Sequence, residues 1–302
     1  MKLSVVVPCY NEAANVSGFE SELSKALLKE KITYEIIFID DGSTDDTYSK
    51  LSSLNKANKN VKVIRFSRNF GKESAMLAGL KNASGSYVAI MDADLQHTPE
   101  MLVLMYKKLI NDDSFDCCCA YKSNREDEGS LKRTLTSLFY KINNKISDVK
   151  LLPGASDFRV FKKSVCDAIT SLDEKTRFLK GMFSWVGFNT IYVPYMPEKR
   201  MYGTSKWSLF KLLKYSLGGI ISFSTKPIKS VFIIGVVALI VGLLNFILMG
   251  NLANRTIILF ISFIMLQLGI ISLYVSRIYS NILNRPCYII KEKLGFNDKR
   301  SK

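Results

Sequence analysis

Short β-branched runs and helical patterns alternate through the first half of this chain, and that alternation limits its fold more than any other feature. Leu3 to Val7 is a strand run stopped by Pro8, and a helix pattern follows over Ala13 to Lys29. Tyr34 to Ile39, Val61 to Phe66, Tyr87 to Met91 and Phe115 to Tyr121 are further strands, separated by helix patterns at Lys72 to Asn82 and Pro99 to Ile110. Thr98 is placed to cap the last of these, with Pro99 at the favoured first position. Thr190 to Pro194 reads as the last strand. Strands separated by helices predict an α/β fold with a mostly parallel sheet covered on both faces.

Acidic residues sit where such a sheet binds ligands, at the strand ends. The strand at Tyr87 to Met91 runs into Asp92-Ala93-Asp94. Alternation along an extended chain puts Asp92 and Asp94 on one side, where they repel unless a cation lies between them. Mg²⁺ or Mn²⁺ bridging to a diphosphate would relieve the repulsion, because both prefer oxygen ligands. Alone, the motif equally describes a solvated turn. Two more strand ends carry acids, however: Asp40-Asp41, before a Gly42 turn and the capping residues Ser43, Thr44 and Asp45, and Asp157 after Pro153-Gly154.

In order along the chain stand Val-Val-Val-Pro-Cys-Tyr-Asn-Glu (5–12), Ile-Asp-Asp-Gly-Ser-Thr-Asp (39–45), Arg-Asn-Phe-Gly-Lys-Glu (68–73), Met-Asp-Ala-Asp-Leu-Gln (91–96), Asp-Phe-Arg (157–159) and Arg-Met-Tyr-Gly-Thr-Ser-Lys-Trp (200–207). As a set they resemble the inverting GT-A glycosyltransferases that act on polyprenyl phosphates, related to dolichol-phosphate mannose synthase and the bactoprenol glucosyltransferases. The resemblance covers about the first 225 residues. It implies that Pro8, Tyr10, Glu12, Asp40 and Asp41 hold the nucleoside of a UDP-sugar, and that Asp92 and Asp94, with Gln96 beside them, hold Mg²⁺ or Mn²⁺ and the diphosphate. Arg200, Ser205 and Lys206 are expected on the phosphate side. Asp157 stands nearest to a general base, with Arg159 and, more weakly, Arg133 as clamps for an acceptor phosphate. One departure is visible: His97, the sole histidine, stands where the family carries an acid. It reads either as a pH-sensitive ligand or as a helix-start residue with no role.

The acceptor is suggested by the C-terminal quarter. Val231 to Met249 and Thr256 to Tyr274 are each 19 residues without a charge, long enough to cross a hydrocarbon core. A two-helix transmembrane hairpin is expected, with Asn245 and Gln267 available to hydrogen-bond between helices or subunits. Lys226, Lys229, Arg277, Arg285, Lys291 and Lys293 flank it, against Arg255 in the loop, so both ends are expected in the cytoplasm. Trp207, Phe210, Leu213, Leu217 and Ile221 recur at helical spacing among Lys206, Lys211 and Lys214, a pattern suited to a helix lying on anionic lipid. The organisation expected is a GT-A domain over 1–204, interfacial amphipathic helices over 205–229, the hairpin over 230–276 and a basic tail over 277–302.

A net charge of +15 points to a polyanionic partner. Its lysines crowd the membrane-proximal end, without the aromatic platform of a nucleic-acid binder. Six cysteines show no metal-ligand spacing and read as reduced core residues, and the N-terminus enters a strand with no leader. The expected function is transfer of one hexose or N-acetylhexosamine from a UDP-sugar to undecaprenyl phosphate, with inversion, by a membrane-bound homo-oligomer. The alternatives are a processive polysaccharide synthase, disfavoured because no Gln-x-x-Arg-Trp occurs, a diacylglycerol-using glycolipid synthase, and a catalytically silent membrane scaffold.

Overall fold

The computed structural model describes residues 2–122, 130–175, 177–196, 218–219, 221–248 and 253–296. Its centre is four parallel strands. β1 (Lys2–Cys9) lies between β4 (Tyr87–Ile90) and β2 (Thr33–Asp40), and β3 (Val61–Phe66) continues beyond β2. Strict alternation sorts their side chains. Leu3, Val5, Val7, Ile36 and Phe38 face one layer, in which α1 (Val16–Lys29), α2 (Thr47–Ala57) and α4 (Pro99–Asn111) bury Phe19, Leu23, Leu51, Leu102 and Leu109. Val6, Ile37, Ile39 and Ile64 face the other, against α3 (Lys72–Asn82), α6 (Lys163–Ser171) and α7 (Leu179–Trp185). Two helical layers around one sheet are what the sequence alternation predicts. The Thr98 cap is present as well, its hydroxyl accepting from Met101 N at 3.3 Å.

The sheet is more mixed than expected away from this centre. β6 (Ala155–Lys162) pairs antiparallel with β4 on one side and with β5 (Cys117–Lys122) on the other, and β7 (Thr190–Tyr195) adds to β5 in parallel. Alternation in β5 sends Cys118 to one core layer and Cys117 to the other. All six cysteines are free, Cys287 half-buried and the other five buried, and burial pushes the Cys117 and Cys118 thiols up to about 12, so those two are inert core residues.

After α5 (Ser130–Ile146) and β7, two long helices follow: α8 (Lys226–Leu248) and α9 (Ala253–Ile282). They pack together, and Gln267 Nε2 donates to Val231 O across them at 3.2 Å, the interhelical bond expected of Gln267. Ile233, Val237, Ile240 and Leu244 on α8, and Ile261, Leu268, Val275 and Ile282 on α9, are exposed. Among the described residues one stretch, Phe263–Ile282, is long and apolar enough to cross a membrane, where the sequence reading expected two.

Both outer ends of this helix pair are fastened to the sheet domain. Phe223 packs with Phe178 and Met182, and its carbonyl accepts from Asp148 N and Ser147 Oγ. Tyr274 Oη donates to Ser224 O at 2.8 Å. Beyond α9, Tyr288 stacks on Phe66 at 5.0 Å, and β8 (Ile290–Leu294) pairs antiparallel with β3 as the eighth strand. The region expected to be only a basic tail therefore contributes an edge strand, which covers backbone groups that β3 would otherwise leave open.

Candidate active site

Three loops meet beyond the carboxyl ends of β1, β2 and β4. Cys9 lies opposite Asp40 in the β1–β2 register, so residues 10–13 and 41–47 leave the sheet side by side. They are stitched together: Asn11 N donates to Ser43 Oγ, Thr44 N to Asn11 Oδ1, Glu12 N to Thr47 Oγ1 and Ala13 N to Asp45 Oδ2. Gly42 turns the second loop at φ +66°, and a Cβ there would lie 2.3 Å from the Arg68 carbonyl carbon. Only glycine satisfies both that backbone and that approach.

The expected nucleoside residues all lie on these loops or just before them. Pro8 is on β1, Tyr10 is 37% exposed immediately after it, and Glu12 follows. Asp40 is fully buried; its Oδ1 accepts from Ser43 N, and its Oδ2 sits 3.6 Å from Arg65 Nε without a hydrogen bond. Asp41 faces inward, with both oxygens accepting backbone N–H groups, from Phe70 at 2.7 Å and Gly71 at 2.9 Å. Burial pushes its carboxyl up to about 6 although those two bonds pull it down. Asp41 thereby fixes the start of α3.

Asp92 and Asp94 extend from β4. Asp94 Oδ1 accepts from Gln96 N at 3.2 Å, and Leu95 between them is held at φ +55°, an uncommon conformation for a leucine. Asp157 reaches the same place by a route that strand ends alone do not reveal: it lies near the start of β6, which runs antiparallel to β4. Ile90 is opposite Arg159, so two residues further out Asp92 and Asp157 face each other.

Between them stands Lys72. Its Nζ is 2.8 Å from Asp92 and 3.1 Å from Asp157, and Lys180 Nζ lies 3.8 Å from the other Asp157 oxygen. Burial opposes charge on Asp157, but Lys180 and Lys72 outweigh it and hold the carboxyl well below the ordinary range. Lys72 is moved oppositely: burial would lower its pKa, and the two carboxylates raise it instead. The side chains of Lys72, Asp92 and Asp157 are each a quarter to a third exposed, so the cluster opens to solvent. Neither lysine was singled out for a role from the sequence. Lys72 lies within the Arg-Asn-Phe-Gly-Lys-Glu motif, and its place directly after Gly71 at a helix start was the available signal; Lys180, a lone lysine among apolar residues, offered none.

Two expected site residues face elsewhere. Alternation does put Arg159 on the same side of β6 as Asp157, but Arg159 is 5% exposed and its guanidinium lies over the Phe183 ring at 4.4 Å, packed in the core. His97 is 7% exposed between the Phe158 and Tyr195 rings, with Nε2 bonded to Ser156 Oγ at 3.1 Å. Burial lowers its pKa to about 4, leaving it neutral near pH 7. Where the sequence offered a pH-sensitive ligand or a helix-start residue with no role, the structure places a buried, neutral imidazole that supports the turn carrying Asp157. Arg133 lies on α5, while Arg200, Ser205, Lys206 and the interfacial pattern from Trp207 to Leu217 fall outside the described residues.

Among the described residues no group of three or more acidic, histidine or cysteine side chains is assembled for a metal. Asp92 and Asp94 offer two hard oxygen donors, the protein share that Mg²⁺ or Mn²⁺ takes when substrate phosphates and water complete its shell. The residues fit an ion shared with a diphosphate rather than one caged by protein.

Residues 4–170 match the family described as glycosyl transferase family 2. The bactoprenol glucosyl transferase of Shigella phage SfII is 36% identical over 97% of this chain and 98% of its own length. The prophage bactoprenol glucosyl transferase homolog of Escherichia coli K12 is 36% identical over 96% and 99%. Among solved structures, glucosyl-3-phosphoglycerate synthase from Mycobacterium tuberculosis, crystallised with Mn²⁺, UDP-glucose and phosphoglyceric acid, shares the fold with a TM-score of 0.51 at 18% identity, covering 73% of this chain and 77% of that one.

Proposed function

This chain belongs to glycosyl transferase family 2, and on that premise we propose that it moves one sugar from a UDP-sugar, glucose or N-acetylglucosamine first, to undecaprenyl phosphate at the cytoplasmic face of a membrane, with inversion. The observation that carries this reading is likeness to bactoprenol glucosyl transferases over nearly the whole of both chains, apolar helices included.

In this reading Pro8, Tyr10, Glu12, Asp40 and Asp41 form or support the nucleoside site, and Asp92 and Asp94 hold Mg²⁺ or Mn²⁺ against the diphosphate. The ion, when bound, neutralises charge on the leaving group. Arg200, Ser205 and Lys206 bind the same phosphates. Asp157 faces the acceptor. A phosphate monoester, with its second pKa of about 6, is already ionised near neutral pH, so no strong base is required. The two lysines that keep Asp157 ionised also make it a weak base. It serves to orient the acceptor and to repel misplaced phosphate oxygens. Arg133 is the remaining candidate for the acceptor phosphate, Arg159 being packed on Phe183.

The helices α8 and α9 are read as a two-span hairpin anchoring a homo-oligomer. Support comes from their exposed apolar faces and from the attachment of both outer ends to one domain, which returns the chain to the side it left. A basic charge near the lipid suits a water-soluble donor and a membrane-borne acceptor.

A donor screen tests the proposal. Full-length protein in detergent, undecaprenyl phosphate, Mn²⁺ and radiolabelled UDP- and GDP-sugars are combined, and organic-phase label is counted. One UDP-sugar should label the lipid, and Asp94→Asn should remove the signal. Label from no donor, or equal label from Asp94→Asn, sinks the reading.

A further inference from the structure

Lys72 places a single ammonium where it serves both sides of the site. Among the described residues it is the cation paired with Asp92, at 2.8 Å, and it also bonds Asp157 at 3.1 Å, whereas Lys180 approaches Asp157 only. It is held there from behind. It is the first residue of α3, whose start is fixed by Asp41 accepting from Phe70 N and Gly71 N. Its neighbour Glu73 accepts from Leu179 N at 3.1 Å, which ties the start of α7, and with it Lys180, to the same corner.

Two carboxylates facing across a strand pair repel, and Lys72 compensates them without any ion from solution. A divalent cation arriving alone at Asp92 therefore meets a carboxylate whose charge is already spoken for. A donor diphosphate changes that balance twice over. It brings anionic oxygens for the metal, and it offers Lys72 a new anionic partner in a partly exposed site.

We propose that Lys72 is a positioning residue that makes metal and nucleotide binding mutually dependent: its ammonium holds Asp92 in the free protein and passes to the donor diphosphate as the metal takes Asp92. This rests on the metal-assisted reading above. Its consequence is that the free site binds Mn²⁺ or Mg²⁺ weakly until a nucleotide is present. Coupling of this kind is reciprocal, so UDP binding should depend on the metal by the same factor.

The test is Mn²⁺ binding followed by electron paramagnetic resonance on full-length protein in detergent, with and without UDP, for wild type, Lys72→Met, Lys72→Gln and Lys72→Arg, each checked for an intact melt. In wild type, UDP should tighten Mn²⁺ by roughly ten-fold or more, the usual size of a coupling between sites. Lys72→Met and Lys72→Gln should bind Mn²⁺ alone more tightly than wild type and gain little from UDP, and Lys72→Arg should keep the coupling. Unchanged Mn²⁺ binding and unchanged coupling in both neutral variants overturn the proposal while leaving the transferase reading intact. Loss of coupling in Lys72→Arg as well would assign the effect to shape rather than charge, and overturns it too. No Mn²⁺ binding by wild type even with UDP removes the metal-assisted reading and this proposal together.

Discussion

Asp92 and Asp157 face each other across the antiparallel β4–β6 pair and share the Lys72 ammonium. One residue comes from the loop after a central parallel strand and the other from a strand added later in the chain. The donor and acceptor halves of the proposed reaction thus meet at one salt-bridged point. If Asp157 orients rather than deprotonates, Asp157→Asn should lower kcat by roughly ten- to a hundred-fold, short of the full range for a lost general base. The acid limb of the rate profile should stay near the acceptor phosphate's pKa of about 6 in both proteins. An acid limb that disappears with Asp157→Asn would give the residue the role of base.

At the opposite end of the sheet, Glu35 is the hub of a buried network. Its carboxylate accepts from Ser4 Oγ, Ser84 N, Lys2 Nζ and Lys62 Nζ at 2.5 to 2.8 Å. Burial alone would raise its pKa, but those partners bring it down to about 2 from an ordinary 4.5. Glu35→Gln should cost about 3 kcal/mol near pH 7, the usual penalty for breaking a buried pair. Because the folded group is the stronger acid, its contribution is complete above pH 4.5 and is lost as pH falls toward 2. Thermal melts of both proteins should differ most near neutral pH and converge in acid.

His97 gives a second pH signature. The folded imidazole takes a proton only near pH 4, the unfolded one near 6.5, so between those values the unfolded chain binds more protons and stability falls as pH is lowered. His97→Leu should lose less stability than wild type across that window, although it forfeits the bond to Ser156. Parallel melting curves for the two proteins through the window would contradict the buried, neutral assignment.

Gly42→Ala should be destabilising by about 1–3 kcal/mol from backbone strain at positive φ alone. The approach of the new Cβ to Arg68 adds to this by pushing the loop off the Arg68–Asn69 backbone. UDP binding should weaken in the same variant, since Asp40 and Asp41 precede the turn. Calorimetric titration of UDP with Mn²⁺ reads the second effect separately from the melt.

Much of this was legible in the chain because it depends on local pattern. Strand runs ending in Asp40 and Asp92 and the Thr98–Pro99 helix start follow from periodicity and capping, and the interhelical bond of Gln267 from a polar side chain set within an apolar run, all of which act over a few residues. What was not legible depends on pairing between distant segments. Nothing around Ile290–Leu294 announces that it returns past two apolar helices to pair with β3. Arg159 was rightly placed on the side of Asp157, yet alternation could not tell that Phe183 would be waiting there. For His97 the sequence showed only a helix start, and it was β6 and β7 that supplied Phe158, Ser156 and Tyr195 around it. Lys72 shows the same limit: its motif was visible, but its role needed Asp157 brought from 85 positions away.

The most direct measurement is mass spectrometry of the lipid product formed by full-length protein from undecaprenyl phosphate and the donor selected in the screen, with Mn²⁺ present and after its removal by chelation. The account predicts undecaprenyl phosphate bearing a single sugar unit, formed with Mn²⁺ and absent without it. A lipid carrying a polymer, an unmodified lipid with the donor hydrolysed, or the same product in the presence of excess chelator would contradict it.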